Sequence, residues 1–140
     1  FEHVEWFGAG PHENYSDRKS SAAIGLYNKT VSEMEEDYIR PQDMGNRSDV
    51  RHFEVTNHAG QGIAFKADSL LNFSALHYLP TDLDQANHGY ELVARPETIL
   101  TIDAIQNGLG GGSCGPGPME QYLLKAHSKT MKLRLQPIGF

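Results

Sequence analysis

The sequence predicts an all-β protein: an antiparallel β-sandwich carrying one short helical turn. Two observations lead there. Apolar residues recur with period two far more often than with the 3.6-residue period of a helix. The windows that show this are short, and clusters of Gly, Pro, Asn and Asp separate them. A chain of 140 residues can bury one core without disulfides or structural metal, so residues 1–140 read as a single domain.

Taken in order, Phe1-Glu2-His3-Val4 already alternates like the interior of a strand, and Val4 and Trp6 continue it to the turn cluster Gly8-Ala9-Gly10-Pro11. No Met precedes this start, so the chain is expected to be a fragment or to have lost an earlier part. Phe53-Val55 and Ile63-Phe65 are strand windows on either side of Asn57-His58-Ala59-Gly60. Thr81-Asp82-Leu83-Asp84-Gln85-Ala86 follows Pro80 and offers N-cap side chains and first-turn acids, which predicts the helical turn. Ile99-Thr101 and Met131-Leu133-Leu135 supply the later strand windows, divided by Gly115-Pro116-Gly117-Pro118. Three long loops are expected, from about Gly8 to Ser21, Thr30 to Asn46 and Asn107 to Pro118. Loops of that length on a rigid sheet are where binding surfaces are usually built.

Composition excludes several functions. The net charge is −6, with twelve basic residues scattered among eighteen acidic ones, so no surface tracks a phosphate backbone and nucleic acid is not an expected partner. No apolar run approaches the ~20 residues of a membrane span. The single cysteine, Cys114, cannot form an internal disulfide and fits a reducing, cytoplasmic setting. Sequons at Asn14, Asn28, Asn46 and Asn72 point the other way, but such triplets arise by chance in Asn- and Ser-rich loops.

Each candidate chemistry meets a structural alternative. Gly108-Leu109-Gly110-Gly111-Gly112-Ser113 lacks the Lys of a phosphate loop, and Gly-Pro-Gly-Pro follows it where a helix would have to start. The seven histidines never adopt an HxH, HxxxH or HExxH spacing, so no metal site is expected. No feature assigns Cys114 a base, so it reads as packing or pocket lining. Glu13, Asp17, Asp43 and Asp103 are the loop carboxylates that a two-acid mechanism could use. Asp17-Arg18 and Asp49-Val50-Arg51 read more simply as ion-paired loop staples, and Asn14, Asp43 and Asn46 as turn-bonding side chains. No catalytic residue is assigned.

Three segments then become recognisable. Trp6-Phe7-Gly8-Ala9-Gly10-Pro11-His12-Glu13-Asn14-Tyr15-Ser16-Asp17-Arg18 resembles the W-[FY]-G-x-G-P-x-E-N-Y-x-D-R segment of glycoside hydrolase family two β-galactosidases. Tyr38-Ile39-Arg40-Pro41-Gln42-Asp43-Met44-Gly45-Asn46-Arg47 resembles their Y-x-x-P-Q-E-N-G-x-R segment, and Asn107 to Pro116 resembles their G-x-G-G-x-x-S-W loop. Phe73-Ser74-Ala75 and the turn after Pro80 fall where the family has similar features, and order and spacing agree from Val4 to Leu135.

The resemblance implies a β-supersandwich related to galactose mutarotases, with this chain as the C-terminal part of that small-chain domain. It implies a retaining β-galactosidase, acting on terminal β-D-galactosides such as lactose, whose two catalytic glutamates lie in a barrel outside the chain. The module then supports and borders the active site and is inactive alone. Gly111, Gly112, Ser113 and Cys114 are the expected substrate-lining residues. Cys114 stands where the family's loop carries a sugar-stacking Trp, so stacking of that kind is expected to be weak. Glu13, Asn14, Asp17, Arg18 and Arg47 are expected to staple loops, Asp17 and Arg18 as a charge-assisted pair. No cofactor is expected in the chain, the parent's Mg²⁺ and Na⁺ being bound mainly elsewhere. Expected partners are the catalytic region or subunit, the galactoside and, through uncovered strand edges, further copies. The alternative is a free-standing carbohydrate-binding module displaying Trp6, Tyr15, Tyr38 and Tyr78 for stacking. A mutarotase-like enzyme would need a His and a carboxylate flanking the sugar, and no such pair can be picked out.

Overall fold

A computed structural model describes residues 1–111 and 115–140. The architecture is antiparallel β with very little helix, as the patterning predicts for an all-β sandwich. Among these residues six strands form one sheet: β1 (His3–Gly10), β2 (Ala23–Thr30), β3 (Arg47–Thr56), β4 (Gly62–Leu76), β5 (Ile99–Asp103) and β6 (Leu133–Ile138). The spatial order is β2-β1-β3-β4-β5, and β6 also pairs with β4. β4 is long enough, at fifteen residues, to hold two partners end to end. Its first half pairs with β6 from Gly62 to Ala67, and its last part with β5 from Asn72 to Leu76.

One face of the sheet carries the core. Trp6, Phe53 and Phe65 lie side by side across β1, β3 and β4. The Phe53 ring stacks between Phe65 (centroids 4.6 Å apart) and Phe73 (4.1 Å). Trp6 packs on Tyr27 and Phe73 and donates its indole N–H to the Ala9 carbonyl at 3.1 Å. Val31 and Met34, from a 3₁₀ turn after β2, join the same cluster.

A bulge in β3 makes this core possible. Val50 and Phe53 are three apart, so in a regular strand they would face opposite sides. The register against β4 shifts between Arg47 and Val50 and again between Val50 and His52, and both side chains become buried. Asp49 sits at the bulge with φ 53°, a left-handed conformation that Asp tolerates better than most residues. Gly8, opposite the bulge, has no room for a side chain: a Cβ there would stand 2.9 Å from the Val50 Cα.

The helix expected after Pro80 is present as α1 (Pro80–Gln85), beginning one residue earlier than the Thr81 start. Proline occupies its first position, where a fixed φ and a missing N–H cost nothing, and Leu79 is the capping position. Asp82 reaches back to accept the Leu79 N–H at 2.8 Å and holds Arg95 through two contacts of 2.6 and 2.8 Å. Leu83 closes a second cluster with Met44 and Leu76.

The polar alternation missed β2. Its Ile24 and Leu26 alternate with Tyr27 and so point away from the core and are exposed; among the described residues β2 is an edge strand paired with β1. Phe7 lies opposite Leu26 on that same outer face and is likewise exposed.

Candidate functional site

The loops at one end of the sheet converge on two buried residues of the first motif, Asn14 and Glu13. Asn14 is fully buried in the loop that follows β1. Its Oδ1 accepts the Ser48 N–H at 3.0 Å and the Ser48 hydroxyl, while its Nδ2 donates to the carbonyls of His12 (2.9 Å) and Ala9 (3.3 Å). The backbones of Asn14 and Asn46 bond at 2.9 Å, and Asn46 Nδ2 donates to the Asn14 carbonyl at 2.7 Å. One amide thus ties the first loop to the second loop and to the start of β3. Asn14 and Asn46 are both enclosed in the fold, so neither sequon is accessible in the folded chain.

Glu13, 3% exposed, collects four donors. Gly45 N–H donates at 2.7 Å, Tyr15 Oη at 3.2 Å and Arg18 Nη1 at 3.5 Å, and the Tyr38 hydroxyl makes the fourth contact. A carboxylate so saturated has no lone pair left for acid–base work on a substrate. Burial, then the Glu13 charge, pushes the Tyr15 phenol far above its usual range; burial and the bond to Glu13 push Tyr38 the same way.

This has a measurable consequence. A phenol whose folded pKa exceeds its unfolded value stabilises the fold fully below about pH 10, and that contribution is lost as pH rises. Near-ultraviolet titration of the folded chain is therefore expected to show fewer than its six tyrosinates at about pH 11, and all six after urea is added. Complete ionisation at that pH without unfolding would contradict the network.

Arg47 is fully buried. Its Nη1 donates to the Gly45 carbonyl at 3.0 Å, and its guanidinium carbon lies 5.2 Å from the Trp6 ring centroid. Its Nε and Nη2 have no hydrogen-bond partner among the described residues, and burial pulls its pKa down to about 10.

Asp17 and Arg18 part company rather than pair. Arg18 turns to Glu13 and to the Tyr38 hydroxyl (3.2 Å). Asp17 turns to the glycine-rich loop, accepting the N–H groups of Leu109 at 3.0 Å and Gly110 at 2.8 Å. Asp49 likewise pairs with Lys19 at 2.7 Å, while Arg51 donates to the Asp49 carbonyl oxygen rather than its carboxylate. Asp17 lies in the turn closed by the Tyr15 and Arg18 backbones, and Asp49 lies at the β3 bulge, so neither carboxylate sits on regular extended backbone beside the arginine that follows it. Of the expected substrate-lining residues, Gly111 is exposed and its N–H bonds the Pro116 carbonyl at 2.7 Å. Gly112, Ser113 and Cys114 lie outside the described residues.

Below this loop is a concavity of about 760 Å³ walled by Tyr15, Asp43, Asn46, Ser74, Thr101, Asp103 and the 106–109 segment. Asp43 and Asp103, far apart in sequence, share it, and Gln106 donates to Asp103 at 2.9 Å. Its hydroxyls, amides and carboxylates suit a hydrated, polyhydroxylated partner better than an apolar one. The sequence assigns Ser74, Thr101 and Gln106 no part in a site, because isolated polar residues carry no distinguishing pattern. Tyr38, expected only as a stacking aromatic, is the partner of Glu13, and the sheet's closure brings their two motifs together. The stacking row of a binding module is not formed: Trp6 and Tyr15 are buried. Among the described residues no group of three His, Cys, Asp or Glu comes together as a metal-ligand set, and no helix is long and apolar enough to cross a membrane.

The sequence is similar to known proteins. The family model for the β-galactosidase small chain matches residues 1–136. A β-galactosidase of Priestia megaterium is 39% identical over 140 residues, covering 99% of this chain and 14% of the relative. One from Vibrio cholerae is 43% identical over 108 residues, covering 77% of this chain and 10% of the relative. One from an Arthrobacter species is 33% identical over 138 residues, covering 95% and 14%. The chain thus spans about a tenth to a seventh of the length of these relatives. With nearly its whole length matched, the chain belongs to the β-galactosidase small-chain family.

Proposed function

We propose that this chain is the C-terminal β-sandwich module of a glycoside hydrolase family two β-galactosidase, supporting and bordering an active site whose catalytic glutamates lie outside it. The observation that carries the reading is the fate of its own loop carboxylates. Glu13 is saturated by four donors and Asp17 by two backbone amides, so the first motif is spent on holding loops in place. The parent enzyme hydrolyses terminal β-D-galactosides such as lactose with retention, one glutamate acting as nucleophile and the other as acid and base. The glycine-rich loop contributes to the substrate-binding side, and any Mg²⁺ or Na⁺ is held mainly by the rest of the enzyme. The enzyme is cytoplasmic and homo-oligomeric. The outward apolar residues Phe7, Ile24 and Leu26, and the free edge of β2, are the surfaces that meet the catalytic region or another copy.

The test compares the isolated chain with the complete enzyme on a chromogenic β-galactoside. The complete enzyme is expected to turn over and the chain alone to give no rate above buffer. Native-level hydrolysis by the chain alone, or an inactive complete enzyme, would overturn the reading.

A further inference from the structure

The glycine-rich loop is held from two sides. On one, Gly108 N–H donates to the Tyr122 carbonyl at 2.9 Å, and Asn107 Oδ1 accepts the Leu124 N–H at 2.7 Å. On the other stands Asp17. A tight turn, in which the Tyr15 and Arg18 backbones bond at 2.9 and 3.2 Å, carries Asp17 outward from the Glu13 network. Its two carboxylate oxygens take the consecutive N–H groups of Leu109 and Gly110, one each. Gly108 fits beneath so closely that a Cβ there would lie 2.6 Å from Asp17 Oδ2. Gly110 has φ +63°, and a Cβ on it would stand 2.5 Å from the Gly117 carbonyl carbon. Two glycines thus leave room for one carboxylate and one sharp backbone turn, and the arrangement fixes both the place and the direction of the loop's root.

Asp17 forms no ion pair among the described residues, so its charge is committed to those amides. Burial works against that charge, but the Gly110 and Leu109 amides outweigh it and hold the carboxyl below its usual range.

We propose that Asp17 is a positioning residue: its carboxylate sets the glycine-rich loop at Leu109–Gly110 and thereby the geometry with which that loop meets the substrate. This rests on the reading that the chain borders a β-galactosidase active site. Asp17 does not touch the substrate. A neutral amide in its place would present an N–H₂ group to one of the two backbone donors, and the loop root would shift away. A displacement of about an ångström at a substrate-contacting loop is enough to cost about ten- to a hundredfold in rate.

The test uses the complete enzyme with Asp17→Asn and Gly108→Ala, singly and combined, and separately with Arg95→Ala and with the glycine-rich loop shortened by three residues between Gly111 and Gly115. Asp17→Asn is expected to lower kcat/KM on a chromogenic galactoside about ten- to a hundredfold, largely through KM, with the melting temperature nearly unchanged. Gly108→Ala, which leaves Asp17 in place but pushes on it, should reproduce that KM effect, and the double variant should be no worse than either single one. Arg95→Ala removes the exposed pair with Asp82 and should leave KM alone. Unchanged kinetics in Asp17→Asn and Gly108→Ala, alongside an impaired shortened loop, would overturn the role of Asp17 while leaving the active-site reading standing. So would a loss of folded enzyme with normal KM in the remainder, since that is what a merely structural residue does. If the shortened loop itself is kinetically silent, the reading falls and the proposal with it.

Discussion

Replacing Phe53 with alanine is expected to cost about 4 kcal/mol of unfolding free energy. The ring is fully buried, in the middle of three near-parallel phenyl rings at 4.6 and 4.1 Å. Truncation removes the transfer free energy of the ring and leaves a void that cannot close easily, because β3 is pinned by β1 on one side and β4 on the other. Phe53→Leu, which keeps most of the volume, should cost markedly less, about 1 to 1.5 kcal/mol. Urea unfolding followed by Trp6 fluorescence reads both, since Trp6 is the single tryptophan and pairs with Phe53 across the sheet. A loss under about 1 kcal/mol for Phe53→Ala would mean that this ring is not at the centre of the core.

The second large effect is expected at Glu13. Its replacement by alanine leaves the Gly45 N–H and two tyrosine hydroxyls in a closed setting with their common acceptor gone. Stranding buried donors costs more than the bonds were worth, and a loss of about 3 kcal/mol is expected. Glu13→Gln retains one acceptor oxygen and its shape, so about half of that loss is expected. The two variants also separate packing from charge through the tyrosines. Without the carboxylate, the Tyr38 phenol should ionise at lower pH than in the parent, detectable in the same near-ultraviolet titration. If Glu13→Ala unfolded at the parent's urea midpoint, the convergence of the first two loops on this residue would be incidental.

Both predictions concern residues that sequence reading weighed unequally. Phe53 lies in an alternating window, and alternation is a direct image of the pleat, so its burial could be read without a structure. Composition and spacing do not rank Glu13 among the four loop carboxylates, and only the family resemblance marks it as a loop staple. What separates it from Asp43 is the arrival of Tyr38 and Gly45 from a loop some thirty residues away, a fact of tertiary closure. Asp17 and Arg18 illustrate the same limit more sharply. Opposite charges at adjacent positions suggest a pair, yet backbone direction sends one to the glycine-rich loop and the other to Glu13.

The bulge in β3 is a further case. Nothing in Ser48-Asp49-Val50-Arg51 advertises the register shift that turns Val50 inward, because a bulge is decided by what the partner strand and Gly8 can accommodate. Edge strand β2 is hard to read for the opposite reason: its aliphatic residues Ile24 and Leu26 face outward while Tyr27 packs on the core, so its alternation does not mark an apolar inner face.

By itself, then, the sequence determined the all-β class, the helix after Pro80, the strands whose inner faces form the core, and through three collinear motifs the family. Those features are local or repeat along the chain, and periodicity, proline and glycine encode them directly. The tertiary structure alone decided which polar groups meet: Glu13 with Tyr38, Asn14 with Ser48, Asp17 with Leu109 and Gly110. Hydrogen bonds between loops depend on where distant backbone ends up to within about half an ångström. No spacing rule carries that information, because it is fixed only when the sheet has closed and brought the loops to one end.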